Sequence, residues 1–244
     1  MAYKIGERKD VLLPVMPCLD AFILSHTVEP VDAPSSDEVA DFIGKYEPHA
    51  MLDPDNPMAI GTFTPPEYIQ ELRYQNHVAM ENAKKAIKEV TKEFASKFGR
   101  DYHGLIEEYK CDDAEVVLIT VGTVTGTARE VVDKLRQQGK KVGLIKLRFY
   151  RPFPREELRN IAKNVEAIGV YDRAISYGSG GPLFIETRNA LYGMDVPVLN
   201  FLAGLGGRDV MTGDVEKMYE ILMKAKDSKP AKEIYWIGTR GVSI

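Results

Sequence analysis

The sequence predicts an α/β protein with a mostly parallel, doubly wound sheet, preceded by a long helix, an extended connector and short strands. After Tyr109, buried apolar runs alternate with amphipathic helical patterns, and glycine or proline stands at many of the boundaries. This alternation specifies parallel strands joined by right-handed crossovers, with helices on both faces. A long apolar stripe at helical spacing before Gly99 predicts the helix.

The predicted elements of the α/β region follow one another in a regular order. Strands are predicted over 115–121, 141–149, 167–172 and 197–202, helices over 125–138, 154–163, 183–192 and 214–226, and an added edge strand over 233–237. Gly139 and Gly193 end two of the helices, since glycine is common just past a helix C-terminus. We therefore assign residues 100–244 to one α/β domain.

The segment 66–99 is predicted to be one long helix, with Pro66 in its first turn and Gly99 at its end. Glu81 with Lys85 and Glu93 with Lys97 have the spacing of stabilising pairs on its outer face. A coiled coil is the alternative. The many alanines and the lack of sustained heptads favour packing on a neighbouring domain.

The segment 32–65 is predicted to be an extended connector. Seven of the 14 prolines of the chain lie between Pro30 and Pro66, and prolines restrict φ and remove hydrogen-bond donors. We therefore expect no regular structure here. Apolar side chains favour a strap that lies on another surface over a free linker, which would be more polar; they are Phe42, Ile43, Tyr46 and Met51.

The first 31 residues contain two apolar runs, at 11–16 and 21–24, with the pattern of interior strands. The sequence before them is too short to supply neighbouring strands, so we expect the chain to begin within a domain whose earlier part lies elsewhere. Burying such side chains contributes roughly 1.5–3 kcal/mol each. A surface outside this chain is therefore expected to cover them.

Composition limits the classes of partner. With 244 residues, 44% hydrophobic and 28% charged, and a net charge of −4, the chain is typical of soluble globular proteins. Nucleic acid is an unexpected partner because the chain has no basic run. No apolar stretch reaches the roughly 18 residues of a membrane span, and the charged first ten residues do not form a secretion signal, so we expect a cytoplasmic location.

The cysteines and most histidines give no metal signature. Cys18 and Cys111 are far apart, so this chain alone cannot build a disulfide framework, a metal site or an iron–sulfur site. The histidines lack metal-ligand spacing. His26 differs because Ser25-His26-Thr27 follows an apolar run, a common position for chemistry in α/β proteins. A hydrogen-bonded structural histidine is favoured over a catalytic one.

Three turns after predicted strands are candidate sites, because ligands of open α/β sheets bind at the carboxyl ends of strands. The first, 122–127, resembles a phosphate cradle at a helix N-terminus. It lacks a GxGxxG or Gly-Lys-Ser/Thr fingerprint, and Lys146 and Arg148 stand where an acidic residue would hold a ribose. A tight turn with threonine capping is favoured over a nucleotide site.

The other two turns are glycine-rich. Gly180 and Gly181 precede Pro182, and we favour a subunit contact there over a phosphate site. Gly206 and Gly207 precede Arg208 and Asp209. Either Arg208 and Asp209 form an internal network, or the loop docks on a partner through charge-assisted hydrogen bonds. Together with Ser25, His26 and Thr27, these residues are the candidates for a subunit interface or for support of an active site.

Five stretches of the sequence are distinctive: 12–31 (LLPVMPCLDAFILSHTVEPV), 72–75 (LRYQ), 147–154 (LRFYRPFP), 169–173 (GVYDR) and 204–210 (GLGGRDV). They resemble the α subunits of the pyruvate:ferredoxin oxidoreductase family, which are thiamine-diphosphate-dependent 2-oxoacid:ferredoxin oxidoreductases. The resemblance extends over almost the whole chain. It implies that residues 1–31 are the last strands of an upstream thiamine-pyrimidine domain and that residues 100–244 are similar to a transketolase C-terminal domain.

The resemblance also implies an activity for the complete complex. That complex would oxidise pyruvate with coenzyme A to acetyl-CoA and CO2 and would reduce ferredoxin. The expected partners are the missing N-terminal α domain, subunits or domains of the β, γ and δ types, and ferredoxin through the complex.

Cofactor binding is expected to lie outside this chain. In the family, an N-terminal α domain supplies the activating glutamate, and a Gly-Asp-Gly motif of the β subunit holds the diphosphate and magnesium. Gly213-Asp214-Val215 departs from that motif. No catalytic, cofactor or metal residue is therefore carried over. Thiamine diphosphate, magnesium and iron–sulfur clusters are expected in the complete complex, and the chain alone is expected to be inactive and structural.

Two alternatives stay open. The chain could be a free-standing α/β module that binds a nucleotide or another anion at 122–127 or 178–181. It could also be the same scaffold in an enzyme for a different 2-oxoacid, because the residues that select the oxoacid lie in the missing domain.

Overall fold

The computed structural model describes residues 1–228 and 230–241, and the chain divides into two compact units, Met1–Leu105 and Ile106–Ile244. The first unit contains helices α1 (Ala2–Gly6), α2 (Ile23–His26), α3 (Ser36–Ile43) and α4 (Ile69–Phe98). The second contains β1 (Ile106–Tyr109), β2 (Val116–Thr120), α5 (Val124–Gln137), β3 (Val142–Leu147), α6 (Arg155–Ala162), β4 (Ala167–Asp172), α7 (Pro182–Ala190), β5 (Val198–Leu202), α8 (Thr212–Asp227) and β6 (Ile234–Trp236). The predicted division of residues 1–99 into three segments stays a prediction.

The long helix is confirmed. A 3₁₀ turn over Pro66–Tyr68 leads into the 30 residues of α4, and Gly99 ends it in the left-handed conformation. The predicted pair of Glu93 and Lys97 is replaced by longer-range pairs, in which Lys4 binds Glu93 and Asp41 binds Lys97. Despite the length of α4, no helix among the described residues is both long and apolar enough to cross a membrane.

The connector is not wholly irregular, which corrects the prediction for 32–65. It contains α3, whose N-terminus has a capping box: the Glu38 amide donates to the Ser35 hydroxyl at 3.3 Å, and the Ser35 amide donates to the Glu38 carboxylate at 2.8 Å. Phe42 on α3 packs edge-on against Phe94 and Phe98 of α4, with 5.5 Å between ring centroids in each pair. The connector therefore lies on another surface of the chain at Phe42, as predicted, but it does so through a helix.

The strands predicted at 11–16 and 21–24 are wrong. Residues 12–21 belong to no helix or strand, and the second run enters α2. A strand exists only where a neighbour accepts and donates its backbone hydrogen bonds, and Pro14 and Pro17 remove two donors. The apolar side chains of this stretch are largely exposed, with Met16 at 86% and Phe22 at 74%.

The second unit has one six-stranded sheet in the order β1-β3-β2-β4-β5-β6. Strands β2 to β6 are mutually parallel, which confirms the predicted α/β class, and β6 is the predicted edge strand. The antiparallel edge strand β1 was not predicted. Its sequence, Ile-Glu-Glu-Tyr, has no continuous apolar run, because an edge strand needs only partial burial.

Two apolar cores lie on the two faces of the sheet. Helices α5 and α8 cover one face, on which Tyr171, Phe201 and Tyr219 are almost completely buried. Helices α6 and α7 cover the other, with Ile119, Ile145 and Ile168. Each face therefore has two helices, as in doubly wound sheets.

The hand of the crossovers departs from the prediction. In the β2–α5–β3 unit the chain crosses toward the β1 edge of the sheet, and its helix lies on the face covered by α5 and α8. In the β3–α6–β4 and β4–α7–β5 units the chain crosses toward the β6 edge, and the helices lie on the other face. These three share one hand. The β5–α8–β6 unit moves like the latter two but has its helix on the α5 face, so its hand is opposite. The opposite hand places α8 beside α5, so that two helices cover this face of the sheet.

Gly169 lies in a closely packed part of β4. A Cβ at this position would lie 2.8 Å from both Leu222 and Phe201 and 3.0 Å from Leu118, all of them buried. We expect Gly169→Ala to lower the free energy of unfolding by about 1–3 kcal/mol through overpacking. Urea denaturation followed by fluorescence of Trp236, the single tryptophan, reports on this unit.

The matched control is Gly126→Ala. Gly126 is exposed on α5 and nothing lies within 4 Å of an added Cβ, so the substitution should stabilise the protein by about 0.5–1 kcal/mol. Equal effects of the two substitutions would contradict the packing described for β4.

Hydrogen exchange on the full chain should separate the two sequence regions that were both predicted as buried strands. We expect fast exchange at residues 12–21, which belong to no helix or strand, and slow exchange at Val116–Ile119 in the centre of the sheet. Strong protection of both regions in a proven monomer would show that the N-terminal stretch has a partner within the chain.

Candidate functional site

The carboxyl ends of the parallel strands bring the three predicted turns to one edge of the sheet. Residues 121–123 follow β2, 173–181 follow β4 and 203–211 follow β5. Two further segments reach the same edge, 148–154 after β3 and 237–241 after β6. We call these five segments the carboxyl-edge loops.

A buried carboxylate organises the turn after β4. Asp172, the last residue of that strand, accepts hydrogen bonds from the backbone amides of Leu183 at 2.9 Å and Phe184 at 3.1 Å. The side-chain amide of Asn200 on β5 donates to the same carboxylate at 2.9 Å and to the carbonyl of Val170 at 3.2 Å. Asp172 therefore joins β4, β5 and the first turn of α7.

The two glycines of this turn are explained by close approach. The Gly181 amide donates to the Asn200 side-chain oxygen at 2.8 Å, and a Cβ on Gly181 would lie 2.2 Å from the Asp172 carboxyl. Gly180 has φ 108°, a conformation that favours glycine. The Leu183 and Phe184 amides, which a phosphate would need at the start of α7, are already bonded to Asp172, so the phosphate alternative for 178–181 has less support than the subunit contact.

Burial dominates the electrostatics of Asp172. Removal from water raises the pKa of its carboxyl group above the ordinary value, although the amides of Leu183 and Phe184 and the Asn200 side chain act in the opposite direction. Asp172 is 5% exposed and Asn200 is fully buried. Neither residue was predicted to have a role. The available signal was a polar residue, Asn200, inside the otherwise apolar strand Val198–Leu202.

The turn after β2 is a structural turn. Helix α5 begins after Thr123, whose side chain makes no capping hydrogen bond. The predicted threonine capping is therefore wrong. Instead, the buried hydroxyls of Thr120 and Thr125 bond to each other at 3.0 Å across the turn.

The loop after β5 bounds a cavity of about 320 Å³. Gly206 and Gly207 have φ of 69° and 85°, and the Arg208 guanidinium donates to the Gly238 carbonyl at 2.6 Å. Of the two alternatives for this loop, the internal one is seen in a different form, because Arg208 bonds to the segment after β6; docking on a partner stays a prediction. Asp214 of α8 and charged and glycine residues of the two loops line the cavity; the loop residues are Gly204, Arg208, Asp209, Gly238 and Arg240.

Ser25, His26 and Thr27 belong to the first unit and bond to their own helical turn. A ring nitrogen of His26 lies 2.7 Å from the Phe22 carbonyl oxygen, and the Thr27 hydroxyl donates to the Ile23 carbonyl at 2.6 Å. The Ser25 hydroxyl donates to Phe22 at 3.3 Å. These contacts agree with the structural interpretation that was favoured for His26.

Few side chains in the described part of the chain could bind a metal ion or take part in redox chemistry. Among residues 1–228 and 230–241, no group of three histidine, cysteine or acidic residues could hold a metal ion. Both cysteines are free thiols, and burial raises the pKa of Cys111 to about 11. This thiol is therefore protonated and unreactive at neutral pH.

The stability of the second unit should depend on pH through Asp172. Because burial raises its pKa above 3.8, the folded protein holds the proton more tightly than the unfolded chain does. The stability that Asp172 gains from binding this proton is fully present below pH 3.8, the ordinary pKa, and is lost as the pH rises through the raised pKa of the folded protein. We expect the free energy of unfolding of the wild type, minus that of Asp172→Asn, to fall as the pH rises from about 3.5 to 7.

Asp133→Asn is the control with the opposite sign. Hydrogen bonds from Lys110 and Tyr109 lower the pKa of Asp133. The contribution of Asp133 to the free energy of unfolding is therefore present when the pH is above the ordinary pKa of an aspartate, and it is lost as the pH falls through the lowered pKa. A difference curve for Asp172→Asn that rises with pH would contradict the described burial.

Family models of known proteins match a region in each of the two units. Residues 1–92 match a family model described as pyruvate flavodoxin/ferredoxin oxidoreductase, thiamine diphosphate-binding, and residues 114–215 match pyruvate:ferredoxin oxidoreductase core domain II.

Curated relatives include two pyruvate synthase subunits named PorA. The chain is 46% identical to that of Methanothermobacter thermautotrophicus over 240 residues and 45% identical to that of Methanocaldococcus jannaschii over 242 residues; each match covers 98% of this chain and 61% of the relative. The ketoisovalerate oxidoreductase subunit VorA of Pyrococcus horikoshii is 44% identical over 240 residues, with 97% and 60% covered. The chain therefore spans about three fifths of the length of the curated relatives it matches.

Among solved structures, the chain is similar to a 2-oxoglutarate:ferredoxin oxidoreductase from Magnetococcus marinus, with a TM-score of 0.48 and 13% identity over 76% of this chain and 29% of the other. It is also similar to a split-gene transketolase, with a TM-score of 0.39 and 17% identity over 47% and 41%. Two family models and relatives at 44–46% identity agree on the assignment. The two matched regions, residues 1–92 and 114–215, belong to the pyruvate:ferredoxin oxidoreductase family.

Proposed function

We propose that this chain is a structural part of the α subunit of a thiamine-diphosphate-dependent 2-oxoacid:ferredoxin oxidoreductase that acts on pyruvate. The observation that carries the proposal is the identity of 46% and 45% to two pyruvate synthase subunits across 98% of the chain. The proposed reaction converts pyruvate, coenzyme A and two oxidised ferredoxins to acetyl-CoA, CO2, two reduced ferredoxins and one proton. The carboxyl carbon leaves as CO2, and the two electrons pass singly through iron–sulfur clusters.

A structural role for this chain is supported by how its polar groups are used. The carboxylate of Asp172 holds the β4 turn, and Asp214 accepts from the Met211 amide at 3.0 Å at the start of α8. Gly213-Asp214-Val215 therefore lies in a helical turn and does not fit a magnesium–diphosphate site. We propose that thiamine diphosphate, magnesium and iron–sulfur clusters are held by other parts of the assembled enzyme, in the cytoplasm.

The exposed apolar side chains of residues 12–31 support assembly with another surface. Met16, Phe22 and Val28 are 86%, 74% and 97% exposed, and several large apolar side chains exposed in one stretch of chain favour a protein contact. We propose that an α-subunit domain containing the thiamine-pyrimidine site covers them. Subunits of the β, γ and δ types, and ferredoxin through the complex, complete the proposed set of partners.

A branched 2-oxoacid is the second candidate substrate. The identity to the ketoisovalerate oxidoreductase subunit VorA, 44%, is close to the identity to the pyruvate synthase subunits. The alternative of a free-standing nucleotide-binding module has less support, because the amides at the start of α7 are bonded to Asp172.

The test is anaerobic purification of the tagged full chain from its source organism, followed by assays with pyruvate and with 3-methyl-2-oxobutanoate. We expect co-purifying oxidoreductase subunits and coenzyme A-dependent reduction of ferredoxin with pyruvate as the better substrate. The chain expressed alone is the control and should show no turnover. A preference for the branched oxoacid would establish the second candidate, and the absence of both subunits and turnover would overturn the proposal.

A further inference from the structure

The carboxyl-edge loops carry an excess of arginine. Their five basic residues are Arg148, Arg151, Arg173, Arg208 and Arg240, and their acidic residue is Asp209. Parallel strands end at the same edge, so these guanidinium groups are collected along one side of the sheet. Arg151 pairs with Glu186 on α7, whereas Arg208 bonds to a neutral carbonyl. This edge is therefore basic in a chain whose net charge is −4.

The opposite edge has a different composition. The segments that precede β2 to β5 contain lysines and no arginine, together with Asp112, Asp113, Glu115, Glu166 and Asp195. Arginine suits interfaces better than lysine does, because its planar fork binds carboxylates in a bidentate manner and is less strongly hydrated. Arginines of the helices also reach the opposite edge, where Arg136 pairs with Asp113 and Arg188 pairs with Glu233. The excess of basic over acidic residues in the carboxyl-edge loops therefore marks that edge as a contact surface.

A rigid turn presents an aromatic residue beside these arginines. The amide of Ser176 donates to the Gly180 carbonyl at 2.8 Å, and the amide of Gly180 donates back to Ser176 at 3.1 Å. The Gly181 amide is fixed by Asn200. At the tip of this closed turn, Tyr177 is 89% exposed. Fixing the backbone that carries a large side chain before binding lowers the entropy cost of association.

We propose that Tyr177 and the five arginines of the carboxyl-edge loops form a docking surface for an acidic face of another subunit of the oxidoreductase. This inference rests on the proposed function. Tyrosine and arginine are the residues that dominate binding energy at protein interfaces, and charge complementarity selects an acidic partner.

A protein partner fits this edge better than a small phosphorylated ligand. The start of α7, where a phosphate would bind, is occupied by Asp172. The cavity beside Arg208 and Arg240 is also lined by the carboxylates of Asp209 and Asp214, which repel a phosphate. A protein surface spans the whole row of arginines and can bury Tyr177 at the same time.

The test measures the dissociation constant between the full chain and the remaining subunits of the anaerobically purified complex. We expect Tyr177→Ala and Arg240→Glu each to weaken binding about tenfold or more, while Arg240→Lys should have a smaller effect. The matched controls lie at the opposite edge: Tyr192→Ala, whose side chain is 83% exposed, and Lys163→Glu. Both controls should stay within about twofold of the wild type. Trp236 fluorescence verifies that each variant is folded.

The outcomes separate the two proposals. If the wild type binds no subunits, the proposed function and this surface both fail. If the wild type binds and the edge variants behave like their controls, the proposed function stands and the surface is overturned. Pyrophosphate binding that Arg240→Glu abolishes without weakening assembly would show a small-anion site and would also overturn the inference. A smaller salt dependence for Arg240→Glu than for the wild type supports it.

Discussion

The buried carboxylate of Asp172 is the interaction on which the carboxyl edge of the sheet depends. Three donors from α7 and β5 converge on it, and hydrogen bonds to a charged group contribute about 1.5–3 kcal/mol each. Desolvation is nevertheless the larger effect, because the pKa of Asp172 is raised rather than lowered. The carboxylate therefore specifies the position of the turn at a cost in stability, as buried polar groups do in some proteins.

The rest of the edge follows from this arrangement. Gly181 can approach the carboxyl closely because it has no Cβ, and its amide is held by Asn200. The following turn is closed by hydrogen bonds between Ser176 and Gly180, so Tyr177 projects from a fixed base. The backbone amides at the start of α7, which could otherwise bind a phosphate, are bonded within the fold, and Arg151, Arg208 and Arg240 of the same edge have exposed side chains.

Much of the fold could be predicted from the sequence, because the central strands are continuous apolar runs. Strand β4 was predicted to the residue, and the ends of the helices of the second unit to within two residues. Strand β1 was missed because two glutamates interrupt its pattern. Helix α3 was missed although Ser35 and Glu38 form a visible capping pattern. The strand predicted at 11–16 was wrong for another reason. An apolar run indicates burial, but a strand also needs a neighbouring strand that pairs with its backbone.

The site was predictable only in outline. Glycine content identified Gly180 and Gly181, and these positions do carry the turn. The partners that explain them, Asp172 and Asn200, meet across two strands and a helix, and no local pattern encodes that meeting. The opposite hand of the β5–α8–β6 crossover is likewise a property of the whole sheet, since it places a second helix over Phe201 and Tyr171.

The most direct test of the central claim is hydroxyl-radical footprinting of Tyr177 in the free chain and in the anaerobically assembled complex, with Tyr192 as the internal reference. Both tyrosines are exposed in the chain, at 89% and 83%. The account predicts that assembly strongly protects Tyr177 and leaves Tyr192 reactive. Equal reactivity of Tyr177 in the free and assembled states would contradict it.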